Sequence, residues 1–247
     1  MLLLIQKQLH CEKTLGKVTA SSDFSSTSSA IRINWSAVDD ADGYEVYRYN
    51  SSSSSWSKIS TVSNALTYKN SSLSSATTYK YKIRAYVNYN GTNYYGAYSS
   101  VITAVTDPDK VSVLTSFTST DSAVRINWNE VSSATGYRIY RYDSATKTWS
   151  KIATIKDGST TTYRNSKLES STVYKYRVKA YIKINAVNYW SDASNTIYTA
   201  TKPSKVTFKT SSRTQTAIRI NWKKTTCTGY QVQKYNSSKN NGKRLKL

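Results

Sequence analysis

Cysteine, histidine and proline are nearly missing from this chain, and each shortage closes off a class of protein. The two cysteines, Cys11 and Cys227, stand in the atypical ends, so no disulfide framework can hold the middle of the chain together. Low cysteine content suits a cytosolic protein and equally a bacterial surface protein that does without disulfides, so it does not fix the compartment. The single histidine, His10, has no carboxylates grouped around it, which leaves His-based catalysis and His-rich metal binding almost without material. Long apolar runs are also lacking. No stretch reaches the roughly 20 residues that a membrane-crossing helix needs. The opening Met1-Leu2-Leu3-Leu4-Ile5 is too short for the core of an export signal and has no small-residue cleavage site after it. If a parent protein is exported, its address is expected outside this chain.

What the chain has in quantity is tyrosine, 22 of 247 residues, with 6 tryptophans, so its core must be substantially aromatic. Ser, Thr and Asn are abundant, and apolar residues alternate with polar ones instead of recurring at helical spacing, which predicts an all-β protein. The architecture follows from a repeat. Ile31-Arg32-Ile33-Asn34-Trp35 returns as Val124-Arg125-Ile126-Asn127-Trp128 and as Ile218-Arg219-Ile220-Asn221-Trp222. A second marker follows each time: Gly43-Tyr44-Glu45-Val46, Gly136-Tyr137-Arg138-Ile139 and Gly229-Tyr230-Gln231-Val232. A period of about 93 residues is too long for a solenoid repeat and long enough for a sandwich with its own core. The only two prolines, Pro108 and Pro203, fall between units, where a residue that cannot donate to a ladder stiffens a short connection. Neighbouring units are therefore expected to lie nearly in line with modest flexibility.

The units divide as an irregular leader over 1–16, a first module over 17–107, a second over 108–201 and a truncated third over 202–247 with strands one to three only. In the first module, seven strands are predicted: Lys17 to Ser22, Ala30 to Trp35, Tyr44 to Asn50, Trp56 to Thr61, Leu66 to Lys69, Thr78 to Tyr86 and Ser99 to Thr106. The stretch Asn88 to Tyr95 reads as the loop before the last strand. Period-two alternation turns Ile31, Ile33 and Trp35 inward, and likewise Tyr79, Tyr81, Ile83 and Ala85, opposite Lys80, Lys82 and Arg84.

These anchors resemble those of fibronectin type III modules, which carry a Trp on the second strand, a Tyr-x-Val on the third and Leu-x-Pro-Gly-Thr-x-Tyr before the sixth. The chain offers Trp35, Tyr44-Glu45-Val46 and Leu73 to Tyr79 in the first unit, and Trp128, Tyr137-Arg138-Ile139 and Leu168 to Tyr174 in the second. The Pro-Gly of that motif is replaced by Ser or Ala. The resemblance covers 17–201 well and 205–235 in part. It implies immunoglobulin-like seven-strand β-sandwich modules in tandem, with Trp35, Tyr44, Leu73, Tyr79, Trp128, Tyr137, Leu168, Tyr174 and Trp222 as core anchors. The Leu-to-Tyr spacing implies a tyrosine corner, in which the hydroxyl ties a crossover to the backbone. It also implies a non-catalytic spacer or accessory module of a bacterial surface protein or polysaccharide-active enzyme, extracellular, without cofactor, partnered by neighbouring domains of a larger parent.

Candidate sites are few. Asp39-Asp40-Ala41-Asp42 is too short for a calcium loop, and a solvated turn is its plainer reading. The second unit has Ser132-Ser133-Ala134-Thr135 there. Arg-Gly-Asp is absent, and the Asn-x-Ser/Thr triplets are what so polar a composition produces by chance. The formal charge of +21 raises the question of nucleic acid, but it is unevenly spread: +2 over 17–107, +7 over 110–200 and +12 over 201–247. The intact modules are only mildly basic, so nucleic acid ranks last among the partners. One surface recurs, namely the outer face of strands three and six. Tyr47, Tyr49, Lys80, Lys82, Arg84 and Tyr86 gather there in the first unit, and Tyr140, Tyr142, Lys175, Arg177, Lys179 and Tyr181 in the second. Such a face could stack on sugars or meet cell-wall phosphates. The preferred plainer alternative is that Tyr and Lys simply suit solvent-facing strands and protect edges.

The third unit would leave Ile218, Ile220, Trp222 and Val232 without the strands that should bury them. Its last seven residues, Asn241 to Leu247, stand where the other units read Trp56 to Thr61 and Trp149 to Thr154. Suitable codons for that stretch, read in a shifted frame, spell the missing fourth-strand pattern, so a frame shift is expected there, to be checked in the nucleotide sequence.

Overall fold

The computed structural model describes residues 15–63, 65–236 and 241–245. His10, Cys11 and nearly all of the expected leader lie outside them. Every regular element among the described residues is a strand. The first module contains β1 (Ser25–Ser26), β2 (Ile31–Asn34), β3 (Gly43–Asn50), β4 (Ser55–Val62), β5 (Thr67–Asn70), β6 (Thr78–Tyr89), β7 (Thr92–Tyr95) and β8 (Ile102–Val105). One sheet runs β1-β2-β5. The other runs β4-β3-β6, with β7 and β8 both paired to the far edge of the long β6. The second module repeats this with β9 (Thr118–Ser119), β10 (Ala123–Asn127), β11 (Gly136–Asp143), β12 (Thr148–Ile155), β13 (Thr162–Ser166), β14 (Val173–Ile184), β15 (Val187–Trp190) and β16 (Ile197–Ala200). These are immunoglobulin-like sandwiches, the fold that the resemblance implied.

The chain departs locally from expectation at three places. The Lys17 to Ser22 strand reduces to a single bridge, Ala20 to Trp35, as its counterpart does at Val113 to Trp128, and beyond it the Ser21 hydroxyl accepts the Asp23 amide. The supposed loop at Asn88 to Tyr95 is a hairpin. Asn90 and Gly91 take φ values of 50° and 81°, the left-handed pair that lets a two-residue turn follow strand twist. Between β7 and β8 the ladder breaks, and buried Ser99 repairs it: its hydroxyl accepts the Ile83 amide at 3.0 Å. Ser194 and Ser191 do the same for Val178 and Ala180 in the second module.

The cores are aromatic and aliphatic in layers. Trp35 and Trp128 are 5% and 2% exposed, each edge-on to a buried tyrosine, Tyr44 or Tyr137, at 5.4 and 5.3 Å. The hydroxyls of those tyrosines accept the amides of Val38 and Val131, which pins the crossover between the two sheets. Leu73 and Leu168 are buried. Tyr79 and Tyr174, expected in the core, are instead half-buried against its rim. Their hydroxyls must reach the backbone at the surface, where they accept the amides of Ser74 and Glu169, both at 2.9 Å. Tyr79→Phe keeps the packing and removes that acceptor, so it should cost the first module about 1 kcal/mol. Urea unfolding followed by hydrogen exchange in β6 checks this against Tyr94→Phe, a residue of the same module that is 42% exposed; equal effects from the two variants would dismiss the corner bond.

Both linkers are tacked to the module before them. Asp107 accepts the Ser26 hydroxyl at 2.9 Å, and Asp109 accepts that of Ser75 at 2.7 Å. The Lys202 amide reaches back to the Thr120 carbonyl at 2.8 Å.

The third unit corrects the three-strand expectation. β17 (Phe208–Arg213) pairs β18 (Ile218–Trp222), and β19 (Val232–Asn236) pairs a fourth strand, β20 (Asn241–Leu245). Backbone pairing needs no particular side chains, so the tail can complete a hairpin without the tryptophan found in β4 and β12. No counterpart of β5 to β8 stands among the described residues, and Phe208, Ile218 and Ile220 are 70, 75 and 39% exposed. Trp222, an expected core anchor, is only half-buried, in an open cleft of 270 Å³ that Tyr230 and Val232 also line.

Candidate functional site

The recurring surface is the outer face of β3, β4, β6 and β7 and of their second-module counterparts. Register decides which side chains meet. Antiparallel pairing sets Glu45 opposite Arg84, and Tyr47 opposite both Lys82 and Lys58. Glu45 is the acid that binds this layer together, and it escaped the sequence reading, which gathered only Tyr and basic residues. Its alternating phase was readable, but its cross-strand neighbours were not.

Glu45 is 2% exposed and heavily partnered. Its carboxylate accepts from Lys58 Nζ at 2.9 Å, from Arg84 Nε and Nη2 at 2.9 and 2.7 Å, and from the Tyr47 hydroxyl at 2.7 Å. Burial pushes this carboxyl up, but the hydrogen bonds from Lys58, Tyr47 and Arg84 outweigh it and hold the pKa at about 2. Burial and the bond to Glu45 raise the Tyr47 phenol in turn. The remaining cations lie over rings. Arg84 Cζ is 3.6 Å from the centre of Tyr95, and Lys82 Nζ is 3.7 Å from that of Tyr98 and 4.7 Å from that of Trp56. Lys80 sits 5.9 Å from the Tyr49 ring, which meets Trp56 edge-on. In the first module, then, the proposed ligand face is a closed layer in which most charges and rings already hold one another.

The second module keeps the frame and changes the charge. Arg138 occupies the place of Glu45, directly opposite Lys179, while Tyr140 faces Arg177 and Lys151. Arg138 Cζ stacks on Trp190 at 3.8 Å and Arg177 Cζ on Trp149 at 4.3 Å. Lys175 Nζ lies 5.1 Å from the centre of the Tyr142 ring. Tyr181, expected on the exposed face, is 6% exposed. It is covered by Trp190, whose ring centre is 4.8 Å from its own, and it lies over Gly136, where an added Cβ would sit 2.9 Å from the Tyr181 ring and 2.1 Å from the Ile155 carbonyl. Tyr86 lies over Gly43 in the same way but stays half-buried.

Elsewhere the candidates disperse. Asp42 accepts the Asn88 amide at 2.7 Å, and no group of three or more His, Cys, Asp or Glu able to hold a metal stands among the described residues.

No protein-family model matches the chain. Exoglucanase B of Cellulomonas fimi is 29% identical over 204 residues, 72% of this chain and 16% of that protein. The chain thus spans about a sixth of the length of this curated relative. Among solved structures, a two-domain fibronectin type III segment of chicken tenascin aligns with a TM-score of 0.42 and 16% identity, over 76% of this chain and 99% of the segment.

Proposed function

We propose that this tandem of fibronectin type III modules serves as a non-catalytic spacer or accessory binding segment of an extracellular bacterial surface protein or polysaccharide-active enzyme. The observation that carries the reading is the closed outer layer of the first module. Its one buried acid is neutralised on its own outer face, and its linker is bonded to its end. Such a unit transmits position without offering reactive groups. The similarity to an exoglucanase of which the chain covers only 16% supports a place beside a catalytic domain.

The test is incubation of the full chain with a panel of soluble and insoluble polysaccharides and purified cell walls. The expected result is no release of reducing sugar. Retention on a polymer marks an accessory binding segment, and retention on none marks a spacer. Sugar release, or a salt-sensitive gel shift of nucleic acid with no polymer retained, would overturn the reading.

A further inference from the structure

At the centre of this face the two modules carry opposite charges. Glu45 in the first becomes Arg138 in the second, while its basic partners persist: Lys58 becomes Lys151, Arg84 becomes Lys179 and Lys82 becomes Arg177. In the first module Glu45 pairs with Lys58 and Arg84. In the second, none of the four cations forms an ion pair among the described residues, and Asp107 at the linker senses Lys179 without pairing with it. Arg138 and Lys179 are opposed across the ladder, an arrangement of like charges that is unfavourable unless something neutralises it. The Arg138 Nε is buried and has no hydrogen-bond partner. A frame that holds a carboxylate in one copy therefore lacks one in the other, where Arg177 Nε finds only the neutral Thr196 hydroxyl at 3.2 Å.

We propose that the outer face of β11, β12, β14 and β15 binds the oxyanions of an acidic polysaccharide through Arg138, Lys151, Arg177 and Lys179. The inference rests on the accessory-binding form of the function above. Guanidinium groups present paired N–H donors to carboxylate or phosphate oxygens, and Arg138 and Arg177 already lie against Trp190 and Trp149, so little freedom is lost on binding. The same stacking argues for a saturated polyanion over a nucleic acid. Both indoles already have a guanidinium against them at 3.8 and 4.3 Å, which takes up the platform that unpaired bases would need. Carboxylate and phosphate share this recognition chemistry, and the two acidic polymers used as probes separate them.

The experiment is affinity electrophoresis of the full chain in gels containing polygalacturonate, a carboxylate polymer, or a polyol-phosphate polymer. The wild type should be retarded by at least one of them, less so as salt rises. R138E places in the second module the acid that the first already has between the same basic partners. It should fold with an undiminished unfolding temperature and bind at least about tenfold more weakly. R138Q, which removes the charge without building the new pairs, should weaken binding in the same direction. R125E makes the same charge change on the exposed face of the opposite sheet and should alter binding less than about twofold. Retardation by neither polymer overturns the proposal, as does equal loss in R125E, which would reduce the effect to net charge. Single-stranded DNA held as tightly and lost equally in R138E also overturns it. Retention on an insoluble neutral β-glucan that R138E leaves untouched overturns this inference while the accessory-binding reading stands.

Discussion

Glu45→Ala lowers the stability of the first module by about 3 kcal/mol, near the low end of what breaking a buried ion pair costs. The carboxylate is 2% exposed and serves Lys58, Arg84 and Tyr47 together, so its loss strands several donors at once. The low end applies because the partners differ in their access to water. The Lys58 side chain is 50% exposed and can rehydrate, whereas that of Arg84 is 20% exposed and cannot do so fully. Lys58→Ala should therefore cost far less than Glu45→Ala, since Arg84 and Tyr47 continue to hold the acid. Hydrogen exchange in peptides covering β3 and β6 of the full chain measures both. Protection unchanged by Glu45→Ala would mean that the pair is not formed in solution.

The same group sets an acid limb. Its folded pKa of about 2 lies below the usual 4.5, so its stabilisation is fully present above pH 4.5 and is lost as pH falls towards 2. The difference corresponds to about 3 kcal/mol, the size of loss expected for Glu45→Ala. The first module should lose protection through that window in the wild type and not in Glu45→Ala. Arg138 takes the equivalent place in the second module, whose depressed acid is instead the exposed Asp157, bonded by Thr160 and Ser159, so its acid response should be the smaller of the two.

Trp128→Ala should destabilise the second module by about 3–5 kcal/mol, and Trp35→Ala the first by a similar amount, because each removes a buried ring that its surroundings cannot collapse to fill. Trp128→Phe separates packing from polarity. The indole Nε1 of Trp128, like that of Trp35, is buried with no hydrogen-bond partner, so phenylalanine leaves a smaller cavity and also relieves an unmet donor. Its cost should fall to about 1–2 kcal/mol. Trp222 closes the same Ile-Arg-Ile-Asn-Trp motif but is half-buried in an open cleft, and Trp222→Ala should leave both complete modules unaffected within about 0.5 kcal/mol. Urea titration with exchange read separately in each module distinguishes the three. Equal losses at Trp128 and Trp222 would contradict the burial difference.

Repetition made much of the molecule legible in advance. The Trp35 and Trp128 anchors, the inward phase of Ile31, Ile33, Tyr81 and Ile83 and the linkers at Pro108 and Pro203 all follow from alternation and from what proline cannot do in a ladder. The β6-β7 hairpin reads as a loop although its signal is present, since Asn90-Gly91 between alternating residues is a strong turn signal. Its counterpart Asn185-Ala186 carries no such signal, and Ala186 reaches a φ of 67° only because the flanking β14-β15 ladder imposes it.

Alternation assigns a side chain to a face but says nothing about its neighbour on the next strand. Sequence by itself determined two sandwiches, their cores and a recurring band of tyrosines and cations on one outer face. Only the tertiary structure decided that Glu45 meets Arg84 and Lys58 while Arg138 meets Lys179, and that Tyr181 is buried over Gly136. The reason is that register comes from long-range packing of whole strands and from bulges such as the shift between Val46 and Tyr47. A displacement of one residue would keep every composition argument intact and pair every charge differently.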